Sequence, residues 1–276
     1  MIAVDSFICI YFNDLVLENA PISAIITALC GIKWGHINAG FLSPTDAPIV
    51  KLAFEGAKRI VGKSKSNQKE PFTAELIKTL VESYSTSENL MHLRFLIICI
   101  TGFAGFFRIS ELLDLTVADF KETEDSFEVT VKKSKNDQLR EGHIVYIAKT
   151  GLSTCPFYWI KRYLRITNLK NDKTAFFICR LAKTKRGHNG LGKHQITYPT
   201  ARKTFLEHLK IVEETPQQKY GLHSLRSGGA SAAANNDVEL RLIGKHGRWA
   251  PNSATKERYI KDSKKKRLSV SKSLGI

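Results

Sequence analysis

The sequence lacks the cysteine and carboxylate patterns that define several common protein classes. Its five cysteines form neither a Cys-x-x-Cys pair nor a cysteine–histidine spacing typical of zinc sites. They are Cys9, Cys30, Cys99, Cys155 and Cys179. We therefore expect buried thiols in a reducing compartment, not a disulfide framework. The clustered carboxylates that a two-metal nuclease needs are also missing from the sequence, so we expect neither a metal nor any other cofactor.

The sequence predicts neither a secretory signal nor a membrane-spanning segment. The apolar start, MIAVDSFICIYF, contains Asp5 and has no basic region before it, unlike a secretory signal. The run from Phe95 to Phe107 is too short to span a bilayer, and Gly102 and Gly105 interrupt it. These features predict a soluble, intracellular protein, located in the nucleus if the source is eukaryotic.

Positive charge is what the sequence has in excess. The 42 Lys and Arg residues outnumber the 26 Asp and Glu residues, which gives a net charge of +16. Residues 241–276 contain eleven basic and two acidic residues, including the KKKR run from Lys264 to Arg267. Such a field favours a polyanion, and nucleic acid is the commonest one. The KKKR run is also typical of a nuclear localisation signal, and both interpretations stay open.

The first 62 residues are predicted to form two or three helices. Pro21 opens a segment with an apolar stripe through Ile25, Ala28 and Ile32, and a second stripe begins at Ile49. The polar, basic segment GKSKSNQKEP then has the composition of a linker. A chain of 276 residues is long enough for two folded units, one on each side of this linker.

The remainder of the chain predicts an α+β fold, mainly α with a small antiparallel β-sheet. Thr73 and Asn89 are positioned to begin two helices, of which the second is mostly apolar and therefore buried. Residues 126–133 and 143–148 alternate with a period of two, which indicates a β-hairpin. Further on, we expect a helix from Pro156, a short FFIC strand, a flexible glycine-rich loop at 183–193 and a helix from Pro199.

The stretch from residue 222 to 260 contains the most informative residues. His223 and Arg226 are three positions apart, so on a helix they share a face and can point at one anion. A guanidinium group binds two phosphate oxygens at once, an imidazole acts as a base, and a nearby tyrosine is a nucleophile. Taken singly, such a histidine or tryptophan is more often a packing residue. The combination with Trp249 and Tyr259 predicts phosphoryl transfer through a phosphotyrosine.

This combination resembles the catalytic domain of the tyrosine recombinases, in particular the crypton-like recombinases of eukaryotic mobile elements. The motif TGFAGFFRISELLDL resembles the first arginine motif of the family, with Glu111 three residues after Arg108. The resemblance implies a partial helical core-binding domain at 1–64, a linker at 65–71 and the catalytic domain at 72–276. It also implies a lysine on the β-hairpin. Lys135 in its SKxDQ setting matches better than Lys133, and the third site position belongs to Trp249 or to His246.

The resemblance implies that these residues together catalyse phosphoryl transfer on double-stranded DNA without a metal ion. Two arginines stabilise the negative charge that develops on phosphorus, His223 assists the nucleophile, and a lysine protonates the leaving 5′-hydroxyl. The predicted catalytic residues are Arg108, Lys135, His223, Arg226, Trp249 and Tyr259, supported by Glu111. The predicted DNA-binding residues are Lys133, Arg248, Lys264, Lys265, Lys266 and Arg267.

The function implied is that of a site-specific recombinase or integrase that self-associates, as a tetramer, on DNA. Two alternatives stay open. One is a strand cleavage and religation activity like that of type IB topoisomerases, which needs no synapsis of two DNA sites. The other is a catalytically silent DNA-binding protein descended from a recombinase.

Overall fold

A computed structural model describes residues 2–62, 69–133, 142–184, 187–212, 219–250 and 255–275. The chain divides into two compact units, residues 1–68 and residues 69–276. Each unit has its own hydrophobic core.

The first unit is helical. Helices α1 (Ile2–Leu17), α2 (Ile22–Asn38) and α3 (Pro48–Val61) enclose a small core that includes Phe12 and Ile25. A 3₁₀ turn at Pro44–Asp46 precedes α3, and the Ser43 hydroxyl accepts a hydrogen bond from the Thr45 amide at 3.3 Å. The expectation of two or three helices is therefore confirmed, with three. No helix in the described part of the chain is long and apolar enough to cross a membrane.

The second unit begins with helices α4 (Ala74–Tyr84), α5 (Leu90–Ala104) and α6 (Ile109–Asp114). The Thr73 hydroxyl accepts from the Leu76 amide at 3.1 Å, and the Asn89 side chain accepts from the Met91 amide at 2.9 Å. Both side chains satisfy amides that a helix start leaves unpaired, as predicted. Helix α5 is buried from Leu93 to Gly102, so it forms the centre of the unit.

The second unit also contains a three-stranded antiparallel sheet. Strands β1 (Phe120–Glu122), β2 (Ser126–Val131) and β3 (His143–Ala148) pair in that order. Phe127 lies opposite Ile147, and Val131 lies opposite His143, next to the turn of the predicted hairpin. Helix α7 (Pro156–Ile166) contacts both α5 and β3. The predicted fold class, mainly helical with small antiparallel sheets, is confirmed.

The glycine-rich segment after α7 forms a second hairpin. Strands β4 (Cys179–Thr184) and β5 (Gly187–Gln195) pair antiparallel, with irregular register at two places. The expectation of a flexible loop at 183–193 was wrong, because the backbone of β4 supplies hydrogen-bonding partners that a local sequence pattern cannot show. Helix α8 (Tyr198–Val212) follows.

The last part of the second unit contains helices α9 (His223–Asn235), α10 (Leu240–His246), α11 (Thr255–Tyr259) and α12 (Lys264–Lys272). Helix α9 packs tightly because it carries glycines where neighbouring backbone approaches. A Cβ at Gly228 would overlap the Phe72 backbone, and one at Gly229 would overlap the Phe103 carbonyl. The small residues of α9 therefore permit the close packing of this helix.

Candidate active site

Arg108 is presented by a tight turn between α5 and α6. It precedes the first residue of α6, and its amide donates to Glu111 Oε2 at 2.9 Å while its Nη1 donates to Oε1 at 2.6 Å. The left-handed backbone conformation at this turn belongs to Phe106 (φ 47°), not to a glycine. Gly105 is needed for space, since a Cβ there would overlap the Phe107 ring. Gly105 therefore serves the turn through its small size and not through a left-handed backbone.

Arg226 is the largest fully buried side chain of the protein in its described part. Its guanidinium donates to the carbonyl oxygens of Phe106 and Gly247, both at 2.5 Å. The same group lies 4.2 Å from the ring centroid of Trp249 and 5.3 Å from that of Tyr259. Burial and the charges of neighbouring arginines lower the pKa of Arg226 to about 9, so the group stays protonated at neutral pH. Arg226 therefore ties the α5–α6 turn to the two aromatic residues.

Tyr259 lies at the end of α11, with its ring centroid 5.3 Å from that of Trp249. Its carbonyl accepts from the Ser227 hydroxyl at 2.6 Å and from the Ser231 hydroxyl at 3.3 Å. Both serines belong to α9, the helix that carries Arg226. The tyrosine backbone is thus fixed to the arginine helix.

Three guanidinium groups surround the Glu111 carboxylate. The shortest nitrogen–oxygen distances are 2.6 Å to Arg108, 2.7 Å to Arg248 and 3.8 Å to Arg226. Burial raises the pKa of Glu111, but the charge of Arg248 and the hydrogen bonds from Arg108 and Arg248 outweigh this and lower it overall. The carboxylate is therefore ionised and holds Arg108 and Arg226 on one side of the unit.

Arg248 is buried inside the protein, whereas a side chain that binds DNA is expected at the surface. Its side chain is 1% exposed, and it donates to Glu111 and to the carbonyls of Gly105, Phe106 and His246. Its backbone is left-handed (φ 56°), a conformation that costs a residue with a side chain about 1–2 kcal/mol. The two Nη atoms of Arg248 are thus paired with acceptors inside the protein, and its contact with DNA stays a prediction.

His223 opens α9 one turn before Arg226 and has an accessible side chain. Partial burial and the positive charges of Arg226 and Arg108 lower its pKa below the ordinary histidine value. The neutral imidazole, which is the form that accepts a proton, is favoured.

The two alternatives for the third site position differ in what they contact. The ring of His246 faces the end of α5, with Nε2 2.9 Å from the Ala104 carbonyl and the ring against Phe106. The ring of Trp249 faces Arg226 and Tyr259. Its Nε1–H is buried and has no hydrogen-bond partner in the described part of the chain. Trp249, and not His246, therefore presents its ring to both Arg226 and Tyr259.

The predicted lysines and the KKKR run are described only in part. Lys135 is among residues 134–141, which lie outside the described residues. Lys133 is exposed, two residues after the end of β2. The KKKR run begins α12, where the Ser263 hydroxyl accepts from the Lys266 amide at 3.2 Å. Lys264, Lys265 and Arg267 are exposed, whereas the Lys266 ammonium pairs with Asp237.

Sequence reasoning missed the residues that hold the cluster together. The Phe106 carbonyl accepts from both Arg226 and Arg248, and Ser227 and Ser231 fix the tyrosine. The spacing of the two serines, four apart on α9, was a usable signal, because it places them on one helix face. No local pattern indicates that the Phe106 carbonyl is shared. Across residues 2–62, 69–133, 142–184, 187–212, 219–250 and 255–275, no group of three or more His, Cys, Asp or Glu is arranged to hold a metal ion.

Comparison with known proteins adds independent information. The profile of the phage integrase family matches residues 54–266. The integrase/recombinase XerD homolog of Selenomonas ruminantium is 25% identical over 237 residues, which cover 84% of this chain and 66% of that protein. The chain thus spans just under two thirds of the length of that relative.

Solved structures with low identity share the fold. The Tn1549 transposon integrase in complex with transposon right-end DNA matches with a TM-score of 0.62 and 12% identity, over 99% of this chain and 85% of that one. The XerH recombinase in its post-cleavage complex with difH matches with a TM-score of 0.56 and 15% identity, over 96% of this chain and 75% of that one. XerA recombinase matches at 0.54 and 15% identity, over 98% and 90%.

Proposed function

Because the chain belongs to the phage integrase family of tyrosine recombinases, we propose that it is a site-specific DNA recombinase that cleaves and rejoins DNA through a 3′-phosphotyrosine. The observation that carries the proposal is the position of Arg226, whose guanidinium contacts the rings of both Trp249 and Tyr259. A phosphate bound by this guanidinium would lie beside the tyrosine hydroxyl. Glu111 links Arg226 to Arg108, so two arginines can serve one phosphate.

In the proposed reaction, the Tyr259 oxygen attacks phosphorus and the bond from phosphorus to the 5′-oxygen breaks. The tyrosine, whose ordinary pKa is near 10, must lose its proton. His223 is the proposed acceptor, since its lowered pKa keeps the imidazole neutral. Lys135 is the proposed donor of the proton that the leaving 5′-oxygen takes up, with Lys133 as the alternative.

Charge stabilisation comes from groups that are already in place. Arg108 and Arg226 face the charge that grows on the non-bridging oxygens, and the unpaired Nε1–H of Trp249 is the proposed third donor. Preorganised donors of this kind need no rearrangement during the reaction. The phosphotyrosine ester is chemically similar to the diester it replaces. Rejoining to another 5′-hydroxyl therefore needs no external energy source.

Double-stranded DNA is the proposed substrate, and a tetramer on DNA is the proposed assembly. The net charge of +16 supports a polyanionic partner, and the similar Tn1549 integrase and XerH structures contain DNA. We assign the helical unit at residues 1–64 as a core-binding domain, residues 65–71 as the linker and residues 72–276 as the catalytic domain. Exposed Leu268, Val270 and Leu274 at the tail are proposed contacts to a neighbouring protomer.

A crypton-like origin is a further part of the proposal. It is supported by the Gly-Arg-Trp sequence at 247–249, with tryptophan and not histidine beside Arg226 and Tyr259. A eukaryotic source would make the KKKR run a nuclear localisation signal as well as a DNA contact.

Covalent trapping tests the function directly. The protein is incubated with DNA from candidate ends of its mobile element, denatured with SDS and separated by electrophoresis. We expect a protein–DNA adduct whose DNA-linked peptide contains Tyr259. Tyr259→Phe keeps the ring and its contacts but removes the nucleophile, so it should retain DNA affinity and form no adduct. An adduct that persists in this variant would assign the nucleophile to another tyrosine, and Tyr198 and Tyr220 would be tested next.

A further inference from the structure

A cleft of about 780 Å³ lies between α7 and one end of the three-stranded sheet. We call it the basic cleft. Its floor is apolar and consists of Val117, Phe120, Phe127, Phe157 and Leu164. The volume is within the range of pockets that enclose ligands, roughly 300–1,000 Å³.

The basic cleft is separate from the proposed phosphate site. Phe127, on its floor, lies at the start of β2, whereas the lysine-bearing turn follows Val131 at the end of that strand. Val131 is four positions further along the extended strand than Phe127, a distance of about 13 Å. None of the residues assigned to the reaction lines the cleft.

Positive charge surrounds this apolar floor. Six cationic side chains line the cleft, against a single carboxylate, Glu122. The six are Lys149, Lys161, Arg162, Arg165, Lys170 and Lys173. Lys161 pairs with Glu122 at 2.6 Å, and for the other five no carboxylate partner is seen within the described ranges. The lining therefore carries an excess of about five positive charges.

Helix α7 supplies four of the residues that line the rim. Tyr158, Lys161, Arg162 and Arg165 follow the i, i+3, i+4, i+7 spacing of one helix face. The ammonium groups of Lys149 and Lys161 lie 5.8 and 5.5 Å from the centroid of the Phe157 ring. Cations and apolar rings are thus adjacent, so one ligand would contact both.

We infer that the basic cleft binds an acidic peptide segment of a partner protein, with an apolar side chain of that segment inserted between the rim cations. Charge complementarity selects acidic residues, and the apolar floor favours a leucine or phenylalanine anchor. Duplex DNA presents its phosphates on the outside of a rigid helix, so it would touch the rim and leave the floor empty. A single-stranded base would enter, but its polar edge would find few hydrogen-bond partners on a floor of phenylalanine, valine and leucine side chains.

Fluorescence anisotropy with three labelled probes tests this inference on the full chain. The first probe is a short peptide of aspartate and glutamate with one leucine and one phenylalanine, and the second replaces those two residues with alanine. The third is a single-stranded oligonucleotide of equal charge. We expect the first peptide to bind at least about tenfold more tightly than the second, because each buried anchor side chain contributes the equivalent of a tenfold or larger change.

A matched pair of charge reversals assigns the binding to the cleft. Arg165→Glu with Lys173→Glu should weaken binding of the first peptide at least about tenfold. Lys203→Glu with Lys210→Glu, which changes the net charge equally at exposed positions on α8, should leave it within about twofold. The inference is overturned by failure of the first peptide to bind, by equal binding of the two peptides, or by equal loss in both double variants. Tighter binding of the oligonucleotide, lost only in the cleft variant, would make the cleft a nucleic-acid groove instead. DNA cleavage in the same variants is an independent readout of the proposed function.

Discussion

Arg248 and Glu111 form a buried ion pair, 2.7 Å between Nη2 and Oε2, that joins the α5–α6 turn to the segment before Trp249. The side chains are 1% and 3% exposed. Glu111 also binds Arg108, which is a proposed phosphate ligand. Arg248 therefore influences the position of Arg108 through the carboxylate that both arginines share. Arg248 is therefore a positioning residue in the proposed reaction.

Arg248→Met should destabilise the protein and slow cleavage. It leaves Glu111 buried with one partner fewer, which costs about 3–5 kcal/mol of unfolding free energy, measured by urea denaturation. Arg248→Lys keeps the charge but not the forked geometry, and should recover only part of both losses.

A double-mutant cycle with Glu111→Gln separates the ion pair from other effects of the substitution. We expect a coupling of about 1–3 kcal/mol in stability and less-than-additive losses in the rate of adduct formation. Strictly additive rates would mean that Arg248 acts on stability alone.

The rate of adduct formation should depend on pH through His223. A lowered pKa means that the imidazole stays neutral further into acid, so the rate should stay level at pH 6.5 and fall only at lower pH. His223→Gln should be slow and should lose this acidic limb. Single-turnover rates across pH give both results, with DNA binding measured in parallel.

The pH at which the rate falls on the acidic side tests why the pKa of His223 is lowered. Arg108→Gln removes one of the positive charges that lower the His223 pKa. The rate of this variant should therefore begin to fall at a higher pH than in the wild type, closer to 6.5, whatever the absolute rate of the variant. A limb that does not move in Arg108→Gln would contradict the electrostatic coupling between these residues.

How much the sequence could predict depends on whether a feature is local. Thr73, Asn89 and the period-two alternation of β2 and β3 are local signals, and the helices and strands they predict are present. The hairpin β4–β5 was missed because strand pairing across a glycine-rich segment depends on a partner strand. The sequence motif at residues 222–260 was sufficient to identify Tyr259 and its neighbours as candidate site residues. The burial of Arg248 could not, because its partners are up to 143 positions away in the sequence.

Trp249 should contribute through its N–H as well as its ring. Trp249→Phe keeps an aromatic ring against Arg226 but removes the unpaired Nε1–H, so adduct formation should slow roughly 10²-fold. Trp249→His restores a donor and should recover most of that loss. Equal rates in the wild type and in Trp249→Phe would show that the residue only packs, and thermal unfolding of each variant controls for stability.

Salt dependence of DNA binding should separate the two interpretations of the KKKR run. Lys264, Lys265 and Arg267 are exposed, so neutralising them to glutamine should make the slope of log affinity against log salt shallower by up to about three. Sequence preference should not change, because phosphate contacts carry no base information. An unchanged slope in this variant, compared with Lys203→Gln as a control, would leave nuclear localisation as the role of the run.

The last prediction distinguishes Lys135 as general acid from Lys135 as a phosphate contact. An alkoxide is a poor leaving group and needs a proton, whereas a thiolate, whose conjugate acid has a pKa of about 8.5, leaves unaided at neutral pH. Replacing the 5′-bridging oxygen at the cleavage site with sulfur should therefore remove the need for an acid and for nothing else. Lys135→Ala should cleave ordinary DNA at least about 10²-fold slower but cleave the sulfur substrate near the wild-type rate.

The comparison of variants makes this assignment specific. Arg108→Ala and Arg226→Ala should stay impaired on both substrates, because the charge on phosphorus still has to be stabilised. If sulfur rescues Lys133→Ala and not Lys135→Ala, the acid is the exposed lysine two residues earlier. If it rescues neither, the two lysines only hold the DNA backbone, and the proton for the 5′-oxygen has another source. Because the rescue depends on the leaving group alone, a variant that is slow through poor folding would be slow on both substrates and would be distinguished from loss of the acid.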